Sequence, residues 1–249
     1  MNYLRSNLWF FRVVLVICLQ SIAVFTEASN PKREKKQEYP NLNNCPSSVT
    51  VRHQVGDGVS PETKNIVYKV VMTSVTGVRQ CWITQNLGAE KAAVADVDTS
   101  VVSFGWYWQF NRKTGYTAKD TSQYRRRTWN SSISENSDWI PANDPCTLLL
   151  GESWRVPTFS EWADMSQTQG WGNSSDAFLS ELKLATVGYL DYSTGNVCFQ
   201  AQSRRYWSSS QGSCMYAGVF ELSKSKLLVF HGTNNKATAY HVRCLADVK

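Results

Sequence analysis

Histidine is nearly absent, with three residues in 249. They do not pair, and no Cys-x-x-Cys accompanies them, so the sequence offers no zinc site. No basic stripe with interleaved aromatics is present, which argues against a nucleic-acid partner. The one tight basic run, Arg125-Arg126-Arg127, reads as a solvated loop. No 20–50-residue repeat is visible, which excludes solenoid and propeller architectures. Long apolar runs are missing too. The only candidate, Val13–Val24, is too short for a membrane span and is interrupted by Gln20 and Ser21.

That run has another reading. Arg5 and Arg12 precede it, and Ser21-Ile22-Ala23 or Thr26-Glu27-Ala28 can close it as a peptidase site, so residues 1–28 are expected to be a signal peptide. Ile17 before Cys18 is too bulky for a lipoprotein cut. Cleavage would remove Arg5, Arg12 and Glu27 and leave 24 basic against 19 acidic residues, a mild excess of +5. Residues 29–44 are polar and mixed in charge, and are expected to be a flexible linker. Residues 45–249 would then form a single domain.

Six cysteines remain in the expected mature chain: Cys45, Cys81, Cys146, Cys198, Cys214 and Cys244. An even count in an exported chain implies disulfides, and six cysteines allow fifteen complete pairings. We expect Cys198–Cys214 between neighbouring strands, Cys146–Cys244 between the approach to a helix and the last strand, and Cys45–Cys81 by subtraction.

Period-two apolar patterning marks Ser48–Val55 and Asn65–Thr73 as a strand pair and Gln80–Thr84 as a third strand. In the run from Ser103 to Phe110, alternation sends Trp106, Trp108 and Phe110 to one face and Tyr107 to the other. Residues 111–145 are polar and irregular, an uncommon length for a loop without a task. Then comes Trp154-Arg-Val-Pro-Thr-Phe-Ser-Glu-Trp162. Pro157 forces Val156 into an extended conformation. Thr158 and Glu161 form a capping-box pair that starts a helix running to about Thr168. Trp154 and Trp162 are expected in the core, and Arg155 in a structural ion pair. A second helix is expected over Asp176–Leu184, capped by Asn173 or Ser174. Strands follow at Thr186–Asp191, Asn196–Gln200, Arg205–Ser209, Met215–Leu222, Lys226–Phe230 and Ala239–Leu245, with tight turns at 193–196 and 223–225. The class is α+β: strands, two central helices, then a C-terminal β-meander.

Six segments occur in a recognisable order: Cys81-Trp-Ile-Thr-Gln-Asn-Leu-Gly-Ala, Gly105-Trp-Tyr-Trp-Gln-Phe-Asn-Arg, Asn143-Asp-Pro-Cys, Trp154-Arg-Val-Pro-Thr-x-x-Glu-Trp, Tyr206-Trp-Ser-Ser-Ser and Val242-Arg-Cys-Leu. Over about residues 65–247 the chain resembles the Fibrobacter succinogenes major paralogous domain of exported proteins in Bacteroidota and Fibrobacteres. The Arg-x-Pro-Thr-x-x-Glu-Trp element also resembles the core of formylglycine-generating enzymes. The resemblance implies a C-type-lectin-like α+β domain in a cell-envelope or surface protein, some relatives being joined to adhesin-like modules.

The function expected is an exported, non-enzymatic module binding a glycan or a surface protein. The alternatives are a structural envelope or fimbria-associated subunit and, remotely, a formylglycine-generating oxidase. That oxidase chemistry needs a close reactive cysteine pair, whereas Cys214 and Cys244 are thirty residues apart. The lectin signatures Glu-Pro-Asn and Trp-Asn-Asp are absent, and Asp96, Asp98 and Asp120 show no ligand spacing. No cofactor is expected and calcium has no support. Within the 111–145 segment, Tyr124, Arg126 and Trp129 are the expected ligand contacts, because Trp, Tyr and Arg dominate interface hot spots.

Overall fold

The computed structural model describes residues 39–249 except 76, 99, 120–127, 186–187, 199–202 and 224–226. The expected signal peptide, most of the expected linker and the turn at 223–225 beyond Ser223 lie outside the described residues. The fold is mixed α+β, with mostly antiparallel sheets and few helices.

Strand β1 (Ser48–His53) pairs antiparallel with β2 (Lys64–Val75), and β2 with β3 (Val78–Ile83). Alternation along β2 buries Ile66, Tyr68 and Val70 and exposes Val67 and Lys69. A helical turn α1 (Val101–Phe104) leads through Gly105 into β4 (Tyr107–Gln109), which pairs with β5 (Gly115–Tyr116). Helices α2 (Pro145–Leu150), α3 (Phe159–Thr168) and α4 (Ser174–Leu179) occupy the middle of the chain. Then come β6 (Tyr189–Leu190), β7 (Val197–Cys198), β8 (Ser203–Gln211), β9 (Tyr216–Ser223), β10 (Leu227–Asn235), β11 (Ala239–Tyr240) and β12 (Leu245–Asp247). They build three sheets, in the orders β1-β2-β3-β12, β10-β9-β8 and β5-β4-β11-β6-β7.

Aromatic area fills two main cores. One gathers Trp106, Trp108, Phe110, Trp139, Trp154 and Trp207. The other gathers Trp82, Trp162, Trp171, Tyr206 and Phe220, with Trp162 stacked on Phe220 at 4.7 Å. The alternation in the aromatic run is realised: Trp106, Trp108 and Phe110 enter the first core, and Tyr107 joins a small separate cluster with Tyr116 and Leu190. Gly88 has φ +83°, and a Cβ there would sit 2.2 Å from the Trp106 ring, so backbone and indole can meet only at glycine.

Four expectations need correction. Order begins before Cys45: Leu42 donates its N–H to the Asp247 carbonyl at 2.8 Å and accepts from Lys249 N at 3.0 Å, so residues 39–44 of the expected linker are part of the fold. Tyr39 and Leu42 supply apolar area that a charge-based reading overlooks. The second helix stops at Leu179 rather than Leu184. The Ser180 hydroxyl bonds back to the Ala177 carbonyl at 2.6 Å and Lys183 turns to φ +48°, yet Leu182 and Leu184 are still buried.

The expected last strand, Ala239–Leu245, splits. Between β11 and β12 the buried Arg243 guanidinium donates to Asn86 Oδ1, Ile83 O, Leu182 O and Lys183 O, and the chain passes from one sheet to another. The meander is therefore β8–β10 only. Finally, Cys45–Cys81 and Cys146–Cys244 are bridged, each with Cα atoms 5.5 Å apart, but Cys198 is a free thiol and is not paired with Cys214. Cys198 sits at the outer strand of the five-stranded sheet. Cys214 lies in the turn at the far end of β8, nine residues long at about 3.3 Å each.

Candidate functional site

Of the three expected contacts, Tyr124 and Arg126 lie outside the described residues. Trp129 is half-buried and fixed on two sides. Its indole N–H donates to the Tyr192 carbonyl at 2.9 Å, and its ring meets Tyr116 edge-on at 5.1 Å. Tyr116 is buried, and its hydroxyl donates to the Thr128 carbonyl at 3.0 Å. The Gln109 amide clamps the next residue, donating to Asn130 O at 2.6 Å and accepting from Asn130 N at 3.2 Å. Irregular backbone is thereby held by β4 and β5 side chains rather than by a ladder of its own.

Beside Trp129 stands Tyr192, 45% exposed. It rides on a turn set by Asp191, whose Oδ1 accepts from the backbone N–H of Ser193 and Thr194, both at 3.0 Å, and from their hydroxyls. The Ser193 hydroxyl bond leads in holding the Asp191 carboxyl below the usual range. The half-buried Trp129 indole is therefore hydrogen-bonded to the backbone of a residue whose own phenol ring is exposed. Sequence reading passed over Tyr192; its signal was a large aromatic inside an Asp-x-Ser-Thr-Gly turn, where burial is not expected.

Described residues elsewhere in the 111–145 segment are anchored as well. Arg112 pairs with Glu135 at 3.0 Å, Lys236 Nζ donates to Glu135 O at 2.7 Å, and Trp139 N donates to Ser209 O at 2.8 Å. Such anchoring suits a platform for the part of the segment nearest Trp129.

The Trp154–Trp162 junction is structural throughout its described contacts. Thr158 Oγ1 accepts from Glu161 N at 3.2 Å, and Glu161 Oε2 accepts from Thr158 N at 2.8 Å. Arg155 grips Glu161 at 2.7 and 2.5 Å and Asp247 at 2.9 Å, while Gln80 bonds both carboxylates. Burial works against Arg155 ionisation, but Glu161 and Asp247 outweigh it and hold the guanidinium charged. Burial likewise pushes the Glu161 carboxyl upward, but the bonds from Arg155 and Thr158 outweigh it and hold it below its ordinary value. Asp144 stands behind the junction, fully buried, accepting from the N–H groups of Cys146, Thr147 and Val156. Burial still lifts it to about 6. Its place before Pro145 at the start of α2 is a cap signal readable from sequence.

Two histidines are buried and neutral. His53 meets Ser60 Oγ at 3.3 Å and Tyr68 OH at 2.9 Å, and burial followed by the Lys64 charge lowers it to about 4. His241 meets the Trp106 carbonyl at 3.1 Å, and burial lowers it to about 3. Neither has solvent access, so neither offers acid–base chemistry to a ligand.

Among the described residues no cluster of three or more His, Cys, Asp or Glu could hold a metal ion, and no helix is long and apolar enough to cross a membrane. Comparison with family models, curated proteins and solved structures finds no match.

Proposed function

We propose that the chain is an exported binding module, non-enzymatic, that recognises a glycan or a surface protein. More narrowly, we read it as a C-type-lectin-like domain of the major-paralogous kind, held at or released from the cell envelope. The observation that carries the binding reading is the Trp129–Tyr192 surface: aromatic area kept partly in solvent by a hydrogen bond to Tyr192 O and an edge contact to Tyr116. A pre-ordered aromatic platform gives contact area at little entropic cost. Tyr124 and Arg126 lie close by in sequence and are proposed to complete it. A glycan would stack its apolar face on Trp129 and donate to the Asp191 turn. Cys244 is bridged to Cys146, which leaves it unsuited to the thiol chemistry of a formylglycine-generating oxidase and favours the non-enzymatic reading.

The test is a glycan array and a surface-protein screen of the mature chain, with and without calcium. Binding that survives chelation and is lost on replacing Tyr124, Arg126 and Trp129 by alanine, with the fold intact, is the expected result. Binding unchanged by that triple replacement would refute the assignment.

A further inference from the structure

A sheet edge is where a folded chain can still accept a strand, and natural edges are short, charged or covered. Most edges in this fold follow that rule. Strands β5 and β7 have two residues each and β12 has three. Strand β1 carries Arg52. The outer side of β8 is taken by other backbone: Ser209 N donates to Pro157 O at 2.7 Å, Ser209 O accepts from Trp139 N at 2.8 Å, and Trp207 N donates to His241 O at 3.1 Å. The exception is β10. It is nine residues long at the end of the order β10-β9-β8, and among the described residues no strand lies on its outer side.

The sequence of β10 is not that of a rim. In β9, Phe220 and Leu222 enter one core while Ala217 and Val219 enter the other, so β9 is covered on both faces. Beside it β10 runs antiparallel, with Leu227 opposite Leu222, Leu228 opposite Glu221, Val229 opposite Phe220 and Phe230 opposite Val219. Four apolar residues in a row are the pattern of a strand covered on both faces inside a sheet. No Lys, Arg, Asp, Glu or Pro falls within Leu227–Asn235. The one protective device is a register shift between Phe230 and Asn234, and it leaves Leu227–Phe230 in regular pairing.

We propose that β10 pairs antiparallel with β10 of a second copy of this chain, joining two three-stranded sheets into one. Bare N–H and C=O groups along an edge take an extended strand. The strand that fits this edge is apolar at successive positions and carries no acidic or basic run, and β10 itself meets both conditions. About a two-fold axis the same residues serve both copies. The antiparallel sense also sets Lys224 and Lys226, which precede the strand, at opposite ends of the pair; a parallel approach would bring these like charges side by side. Growth stops at two copies, because the β8 side of the sheet is already occupied.

The experiment is sedimentation equilibrium of the protein, with hydrogen exchange read by mass spectrometry above and below the dissociation range. A dimer dissociating in the micromolar range is expected, in keeping with a contact built on one strand pair. Exchange should slow on association at amides 227–233 and stay unchanged elsewhere. Leu228→Lys puts a lysine opposite Glu221 of its own chain but near the same lysine across the two-fold axis. It should weaken the dimer at least about tenfold while the diluted monomer keeps its cooperative unfolding transition. Leu228→Ile should leave the dimer in place. Three results would overturn the proposal: a monomer at about 100 μM, well above that range, a dimer whose protection rises away from 227–233, or a dimer unmoved by folded Leu228→Lys. Should Leu228→Lys fail to fold, the exchange pattern of the unaltered protein decides alone.

Discussion

Acidification between pH 8 and pH 5 should destabilise the fold, through the two buried histidines. His53 and His241 stay neutral in the folded chain to about pH 4 and 3, whereas in the unfolded chain each takes up a proton near pH 6.5. A depressed folded pKa means stability that is present above 6.5 and lost as pH falls. At pH 5, about 1.5 units below the unfolded value and at about 1.4 kcal/mol per unit, each histidine has cost about 2 kcal/mol. Asp144 acts in the opposite sense. Its folded value of about 6 lies above the unfolded one, so protonation from pH 6 down to 5 returns about 1.4 kcal/mol. The net loss is about 2.5 kcal/mol. Urea midpoints at pH 8 and pH 5 measure it directly. His53→Gln with His241→Gln should lower stability at pH 8 but reverse the slope, because among the described residues Asp144 is then the buried group left titrating in the window. A double variant that keeps the wild-type slope would refute the assignment of the slope to these two rings.

Arg155→Met should cost about 3–5 kcal/mol, because it leaves Glu161 and Asp247 as uncompensated, largely buried carboxylates; thermal denaturation checks this, and a loss below 1 kcal/mol would mean the network is solvated. Gly88→Ala should cost about 3 kcal/mol or more from positive φ plus a clash with the Trp106 ring, read as loss of soluble folded protein. Removing Cys146–Cys244, with a sequence separation of 98, should cost about 0.9 kcal/mol more than removing Cys45–Cys81 at 36, since chain entropy favours the longer loop; equal or inverted losses in paired Cys→Ala variants would show that strain or residual structure decides.

Local chemistry made the junction and the strands legible. Thr158, Glu161 and Pro157 act within one turn, so the start of α3 and its stop before Gly170 follow from neighbours in sequence. Period-two alternation places Trp106, Trp108 and Tyr107 correctly because a sheet face is a local property. What escaped was decided by distant groups. Leu182 and Leu184 are buried without a helix because Ser180 and Lys183 turn the chain, and Arg243 divides β11 from β12 by reaching carbonyls about 60 and 160 residues away. Cys198 is unpaired with Cys214 because β7 and the β8–β9 hairpin joined different sheets. Trp129 was legible as an aromatic in a polar segment. Its partner Tyr192, 63 residues on, was not.

Ligand binding as proposed depends on the Trp129–Tyr192 surface. The direct measurement is the dissociation constant of the protein for its best array ligand, compared with that of the Trp129→Ala, Tyr192→Ala double variant under calcium chelation. Loss of a central aromatic pair should weaken binding at least about thirtyfold, an alanine-scan cost of about 2 kcal/mol. The cooperative unfolding transition should persist. Affinity unchanged in a folded double variant would contradict the account.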